Sequence, residues 1–542
     1  MSRPSVGPVG GPAGPDAILA VDLGTTEAKV GVISVDGDLL GAARARYPLR
    51  LDEAAGIAEQ DANDWWGAIV AAAGAALAEA GLGRGTRPGS VTGAGRRAPT
   101  IVAIAFDGHG PSLVATDAEG LPVAPVVTWL DRRPAAELAR LEAATGLRGW
   151  SLGVLPAALW LEARDPAAAR QARWYLNSWE HLGLRLSGRA ALSLTPGQPV
   201  ADPGSLEVVG LAKDKVPPPI PVGAVLAGLL PGPAAELGLP AGIPVVAGHV
   251  DAFASFNGAG LRDPGDAIDV GGTAGGFGVY TERPYTLPGL FSSPAPMPGL
   301  WSVGGAMAAT GRALDWLRDA ILRDGATMSE LLAEAAAVAP TADGLVFLPY
   351  LAGERSPIWD PTARGAFVGL TLAHGRAHLV RSILEAAALS IRHIAEPLPA
   401  AGIPVRAMVV CGGPAQSPTW NQIKADITGF TVEVPRILET AVVGSAVAGA
   451  VAVGAWPDLR SAVGGMVRIE RTLAPRPEHR EVYDRLFEAY VGLYPAISPV
   501  VRPLLATLAD PARSGRGEDG DVDGDAPAGD RGTRSAALEV RR

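Results

Sequence analysis

The stretch Ala20-Val21-Asp22-Leu23-Gly24-Thr25-Thr26-Glu27-Ala28-Lys29-Val30 places one carboxylate at the end of an apolar strand, directly before a turn of small residues. Outward from it, Ile18 to Leu23, Ala28 to Val35 and Leu39 to Tyr47 read as three strands. The Asp36-Gly37-Asp38 turn between the last two is a hairpin signal. An Ala-rich helix follows from Asp61 to Ala80, then a Gly/Arg-rich loop from Gly83 to Pro99 and a strand from Ile101 to Asp107. Strands and helices alternate to about Gly260, which predicts an α/β layer architecture.

The opening then recurs. From Asp266 to Tyr280 an apolar strand again runs into Gly272-Thr273 and small residues and returns as a second strand, the mark of a duplicated unit. Laying Gly24-Thr25 on Gly272-Thr273 puts Asp22 on Val270, so the turn is shared and the carboxylate is not. Both turns can offer backbone N–H groups and a Thr hydroxyl to phosphate oxygens. A carboxylate beside phosphates is repulsive unless a cation lies between them, and Mg²⁺, a hard ion that keeps several waters, suits that gap. Asp22 therefore reads as a metal-side residue acting through water. The plainer alternative makes both turns ordinary hairpins, with Asp22 capping the first; two such turns facing each other across a cleft favour a nucleotide site.

Composition narrows the partners. The chain of 542 residues is 48% hydrophobic and exceeds the size of a single core. Its net charge of −10, with scattered Lys and Arg, argues against a sequence-independent grip on nucleic acid. The single cysteine, Cys411, excludes an intrachain disulfide and any Cys-rich zinc site, which suits a reducing cytosol. It reads as a buried small apolar residue. The Ala-rich runs Trp65 to Leu82 and Ala441 to Trp456 are near the lower length limit of a membrane span and built from Ala and Gly rather than Leu and Ile, which argues against insertion. Residues 1–16 read as a floppy Gly/Pro-rich leader without a secretory core, and 512–542 carry the composition of a disordered tail.

At Gly365-Ala366-Phe367-Val368-Gly369-Leu370 and, seven residues on, His378-Leu379-Val380-Arg381-Ser382-Ile383-Leu384-Glu385, the sequence resembles the C-terminal signature of the FGGY carbohydrate kinases. Leu348 to Pro357 is similar to the loop that precedes that signature. The resemblance runs from Ile18 to about Tyr490 and is nearest to the xylulokinase branch. It implies two ribonuclease-H-like domains of the actin-like ATPase arrangement about a cleft: a sugar-binding domain over 17–260 and a nucleotide-binding domain over 261–500. It also implies ATP and Mg²⁺ as cofactors, a cytoplasmic enzyme and a possible homodimer.

Phosphoryl transfer needs an in-line hydroxyl, a cation on the phosphates and a base at the hydroxyl. Asp251, which follows a strand and opens a helix of small residues, matches the family's catalytic base, and a helix N-terminus would hold its carboxylate ionised. Its plainer reading is an N-cap. His249 nearby lacks a Gly-x-Ser-x-Gly elbow, so it reads as a core or supporting residue rather than part of a hydrolase triad. The resemblance assigns Gly24, Thr25, Thr26, Lys29, Gly272, Thr273, Gly311, Gly412, Gly413 and Gln416 to the nucleotide. Gly108 and His109, in a Gly-His-Gly like the xylulokinase Met-His-Gly, and Asp131, in Trp129-Leu130-Asp131-Arg132-Arg133, are assigned to the sugar. Trp65 and Trp66 read as helix core, and Glu439 to Gly444 as either cleft wall or helix packing.

Several sugar-side positions depart from the family. Ala157 stands where the first signature carries lysine, Leu130 replaces an asparagine, Glu180 lies near a usual aspartate, and the Leu194 to Asp202 loop lacks the expected Ser-Asp-Ala pattern. The first expectation is a kinase for a pentulose such as D-xylulose, followed by one for another polyol, ketose or aldonate. A non-catalytic binder or a sugar-independent actin-like ATPase is the rival.

Overall fold

The computed structural model describes residues 15–52, 55–83, 90, 97–147, 149–195, 197–198, 203–272 and 275–508. Nearly all of the expected leader, the whole 512–542 tail and Thr273 lie outside them. Met1–Val491 forms one compact unit and Gly492–Arg542 a second. The boundary expected near residue 260 falls inside the first unit, between two large sheets.

The first sheet contains β1 (Asp16–Leu23), β2 (Glu27–Ser34), β3 (Leu39–Arg46), β4 (Thr100–Gly108), β5 (Val225–Gly228) and β6 (Pro244–Val250), in the order β5-β6-β4-β1-β2-β3. The second contains β7 (Asp266–Gly271), β8 (Gly275–Thr281), β9 (Phe291–Pro294), β10 (Trp301–Met307), β11 (Ala407–Cys411), β12 (Val432–Pro435) and β13 (Ile469–Leu473). Its order is β9-β10-β8-β7-β11-β12-β13. Read from the opposite edge, the second sheet repeats the first. In each, a leading strand pairs antiparallel with its hairpin partner and parallel with a later strand, β1 with β4 and β7 with β11. The duplication read from the two turns thus extends over whole sheets.

Side chains alternate across β1 as a strand buried on both faces requires. Leu19 and Val21 pack with helix α1 (Ala62–Glu79), whose buried Trp65, Ile69, Ala72 and Ala76 form one stripe. Asp61 caps that helix by accepting from Asn63 N at 2.8 Å. Ile18 and Ala20 point the other way, into a second core with Val443, Ala446 and Val447 of helix α6 (Thr440–Ala452) and Ile268 of β7. Two other helices place residues of the site: α2 (Ser178–Ser187) and α3 (Asp251–Gly258). On the far side of the second sheet lie α4 (Arg376–Ala395) and α5 (Pro418–Thr428), and α6 spans Thr440–Ala452. Of the two Ala-rich runs read as poor membrane spans, the first falls mainly in α1 and the second in this buried α6. No helix among the described residues is long and apolar enough to cross a membrane.

Helices α3 and α6 cross in near backbone contact. A Cβ on Gly258 would collide with the Thr440 carbonyl oxygen, and one on Gly444 with that of Ala254. Helix packing therefore explains Gly444.

Candidate active site

The parallel strands β1, β4 and β6 end together. Their register sets Asp22 opposite Asp107, and His249 opposite Asp107 on the other side. One residue past β6, Asp251 begins α3, so three carboxylates come from neighbouring strand ends. Val250 takes the cap position, and Asp251 accepts from the Ala252 amide at Oδ1, 2.6 Å. Burial and the nearby Asp22 push the Asp251 carboxyl up to about 7, against the Ala252 amide and Lys29. The helix terminus expected to hold it ionised is outweighed by desolvation and a like charge.

Asp22 is 4% exposed. Its Oδ2 lies 3.3 Å from Lys29 Nζ, its cross-strand partner, while Oδ1 is buried without a hydrogen-bond partner. Lys29 also reaches Glu439 Oε2 at 2.9 Å. Burial works against its charge, but the Asp22 and Glu439 carboxylates prevail and hold the ammonium well above its usual range. Lys29 is thus committed to two carboxylates, and Glu439, just ahead of α6, is a wall of the site.

Asp107 carried no role in the sequence reading. It is 0% exposed and accepts from Ser445 Oγ of α6 at Oδ2, 2.6 Å. Burial first, and then Asp22, raise its carboxyl far above the ordinary range. Only the parallel register with β1 reveals it, because the two residues are distant in sequence.

Side chains from several elements hold the first turn. Tyr47 donates its hydroxyl to the Gly24 carbonyl, Gln60 Nε2 donates to Thr25 O at 2.7 Å, and Trp129 Nε1 donates to Thr25 Oγ1 at 3.0 Å. Thr26 is exposed beside them. Backbone holds the second turn. Gly311 N donates to Gly272 O at 3.1 Å, and a Cβ on Gly311 would strike that same oxygen. Gly412, at φ +74°, comes equally close to Gly271 O. Gly272, Gly311 and Gly412 therefore meet, with exposed Gly413 and Gln416 next to them on one short 3₁₀ turn.

The sugar-side residues are placed differently from expectation. Asp131 is fully occupied: Arg133 Nη2 lies 2.7 Å and Ala58 N 2.9 Å from its Oδ2, while Arg133 N donates to Oδ1 at 3.0 Å. Its side chain has no exposure, so it braces the loop rather than offering a free acceptor. His109 is buried edge-on to Trp65 with Nδ1 2.8 Å from Ser112 Oγ, and burial pulls its pKa down to about 3. Gly108 sits where a Cβ would meet Ser178 Oγ. Glu180 does not face solvent; it accepts from Asn177 N at 2.8 Å and Ser193 N at 3.0 Å, and burial pushes it up to about 7. His249 bonds Thr195 Oγ1 at 2.5 Å and stacks on Phe253, a supporting role as read. Beside His249 and Val250 lies a cavity of about 90 Å³ reached by Asn177, Trp179 and Ser193, and Trp179 Nε1 is buried there without a partner.

Residues 17–196 match the N-terminal domain, and 269–453 the C-terminal domain, of the FGGY family of carbohydrate kinases. Xylulose kinase of Escherichia coli strain K12 is 30% identical over 429 residues, 76% of this chain and 84% of that protein. The chain belongs to the FGGY family of carbohydrate kinases. Gluconokinase of Bacillus licheniformis is 26% identical over 509 residues, 89% of this chain and 96% of that protein. The crystal structure of xylulose kinase from Rhodospirillum rubrum superposes with a TM-score of 0.74 at 29% identity, covering 90% of this chain and all of that one. As an FGGY kinase the protein is a phosphotransferase with a sugar or polyol acceptor, and the family implies ATP as its donor.

Proposed function

We propose that this kinase transfers the γ-phosphoryl group of ATP to a primary hydroxyl of a pentulose such as D-xylulose, with Asp251 as general base. The observation that carries this is the Asp251 carboxylate, partly accessible at the start of α3 and tuned to about 7, near the pH at which a base must gain and lose a proton. As the hydroxyl oxygen bonds to phosphorus and the bond to the ADP oxygen breaks, its proton passes to Asp251. The first turn, through the backbone N–H groups of Thr25 and Thr26 while that of Gly24 donates to Glu27 O, and the second at Gly272 receive the phosphates. Closure around both substrates keeps water from taking the phosphoryl group.

Mg²⁺ fits the first turn through Asp22, whose buried Oδ1 has no hydrogen-bond partner, acting through water. Bound there, it would supply charge neutralisation on the phosphate oxygens.

The side chains described around the 90 Å³ cavity include no lysine or arginine, and His249 is pulled down to about 4 by burial. An uncharged ketose or polyol suits that lining better than an aldonate. The test is ADP release with Mg·ATP against ketoses, polyols and aldonates, beside a no-sugar control and Asp251→Ala. One sugar raising turnover in the wild type alone supports the reading. Sugar-independent hydrolysis would sink it in favour of an actin-like ATPase.

A further inference from the structure

The loop after Leu348 runs past the end of β10 and is fastened to it. Ser356 N donates to Ala306 O at 3.0 Å, and Glu354 Oε1 accepts from Ala308 N at 2.9 Å. Between these two residues, Arg355 turns its guanidinium to the Met307 carbonyl, 2.8 Å from Nη2. That is its single side-chain hydrogen bond among the described residues, and no carboxylate there lies within ion-pairing distance. Four of its five N–H groups are left over. Its neighbour Glu354 is drawn onto backbone amides, and burial pushes that carboxyl up to about 7. Burial also lowers the Arg355 pKa. A cation largely withdrawn from water, offset only by the adjoining Glu354 carboxylate that backbone amides already hold, gains when an anion arrives.

Its anchor lies beside the second turn. Met307, the last residue of β10, pairs with Gly275, the first of β8 after that turn. Thr310 Oγ1 is buried without a partner, 2.7 Å from where a Gly275 Cβ would stand, and Gly311 closes onto Gly272. The first turn has Lys29, already held by Asp22 and Glu439.

We propose that Arg355 binds the terminal phosphates of the nucleotide from the second half of the molecule. The guanidinium fork matches phosphate oxygens in pairs. The inference rests on the kinase reading above and adds to it a phosphate-binding residue.

The test is calorimetric binding of adenosine, ADP and a non-hydrolysable ATP analogue to the wild type, Arg355→Met and Arg355→Lys. Expected for Arg355→Met is unchanged adenosine affinity, with the phosphorylated ligands weakened on the order of ten- to a hundredfold and partly restored in Arg355→Lys. Loss confined to the analogue would place the contact at the γ-phosphate; loss for ADP as well would place it at the β-phosphate. Equal weakening of all three ligands, or of none, would overturn the proposal, since a structural role would not separate adenosine from its phosphates. A wild type that binds none of them would overturn the kinase reading, and this inference with it.

Discussion

The two turns proposed to hold phosphate occupy equivalent places in duplicated sheets and are built by opposite means. In the first, the facing pair on the parallel strands is Asp22 and Asp107; in the second it is Val270 and Cys411. The second hairpin does carry a carboxylate, Asp269, displaced by one residue. Because side chains alternate across a strand, that displacement sends it to the other face. There it pairs with buried Lys424 and braces α5. Cys411 is the buried small residue expected of it, its thiol pushed up to about 11 by burial. One turn thus gathers charge and is propped by side chains, while the other is apolar behind and shaped by glycine backbone. A duplicated scaffold can divide labour by moving one carboxylate one position.

The largest effect that would break this comparison is at Asp251, the proposed base. Asp251→Ala should cut kcat by about 10²–10⁴-fold in an ADP-release assay while leaving adenosine nucleotide binding near wild type. In the wild type, kcat/KM should rise with pH through about 7 and then level, because protonated Asp251 cannot accept the hydroxyl proton; a limb near 4 would refute the tuning.

A carboxylate moved into the second turn is the next test. Val270→Asp should raise KM for ATP by roughly tenfold by placing uncompensated charge at the phosphates, and Asp22→Ala should instead weaken the dependence on Mg²⁺ in titrations of turnover. If both variants changed the same parameter, the division between the turns would be wrong.

Stability effects should be smaller. The raised pKa of Asp251 favours the fold below its unfolded value, and that contribution is lost as pH rises through about 7. Asp251→Asn should therefore raise the melting temperature at pH 8, by about 1–3 kcal/mol of stability, and change little at pH 4. Gly444→Ala should cost about 1–3 kcal/mol in denaturant unfolding, because its methyl meets the Ala254 carbonyl.

Much of this was readable in advance where the information is local. The Asp-Gly hairpin, the Asp61 cap, the repeated turn and the strand-to-helix step at Asp251 are all short-range patterns. Asp107 escaped because its meaning comes from parallel pairing with a strand far away in sequence. The Lys29–Glu439 pair joins residues from opposite ends of the first unit, and no periodicity announces it. Asp131 misled for a different reason: a motif shows that a carboxylate is present but not which way it points, and here Arg133 claims it.

The crossing of α3 and α6 at Gly258 and Gly444 has a mechanical consequence. Where helices meet through interlocked side chains, turning one against the other forces each knob out of its hole. Here the surfaces in contact are peptide planes, smooth on the scale of a methyl group, so the crossing resembles a bearing more than a gear. Asp251, the proposed base, rides on α3, and Ser445, which grips Asp107, follows Gly444 on α6. Because α6 is itself packed into the second core, any displacement of α3 along it would pass straight to the alignment of Asp251 with the carboxylates, with no side chain at the point of contact to absorb it.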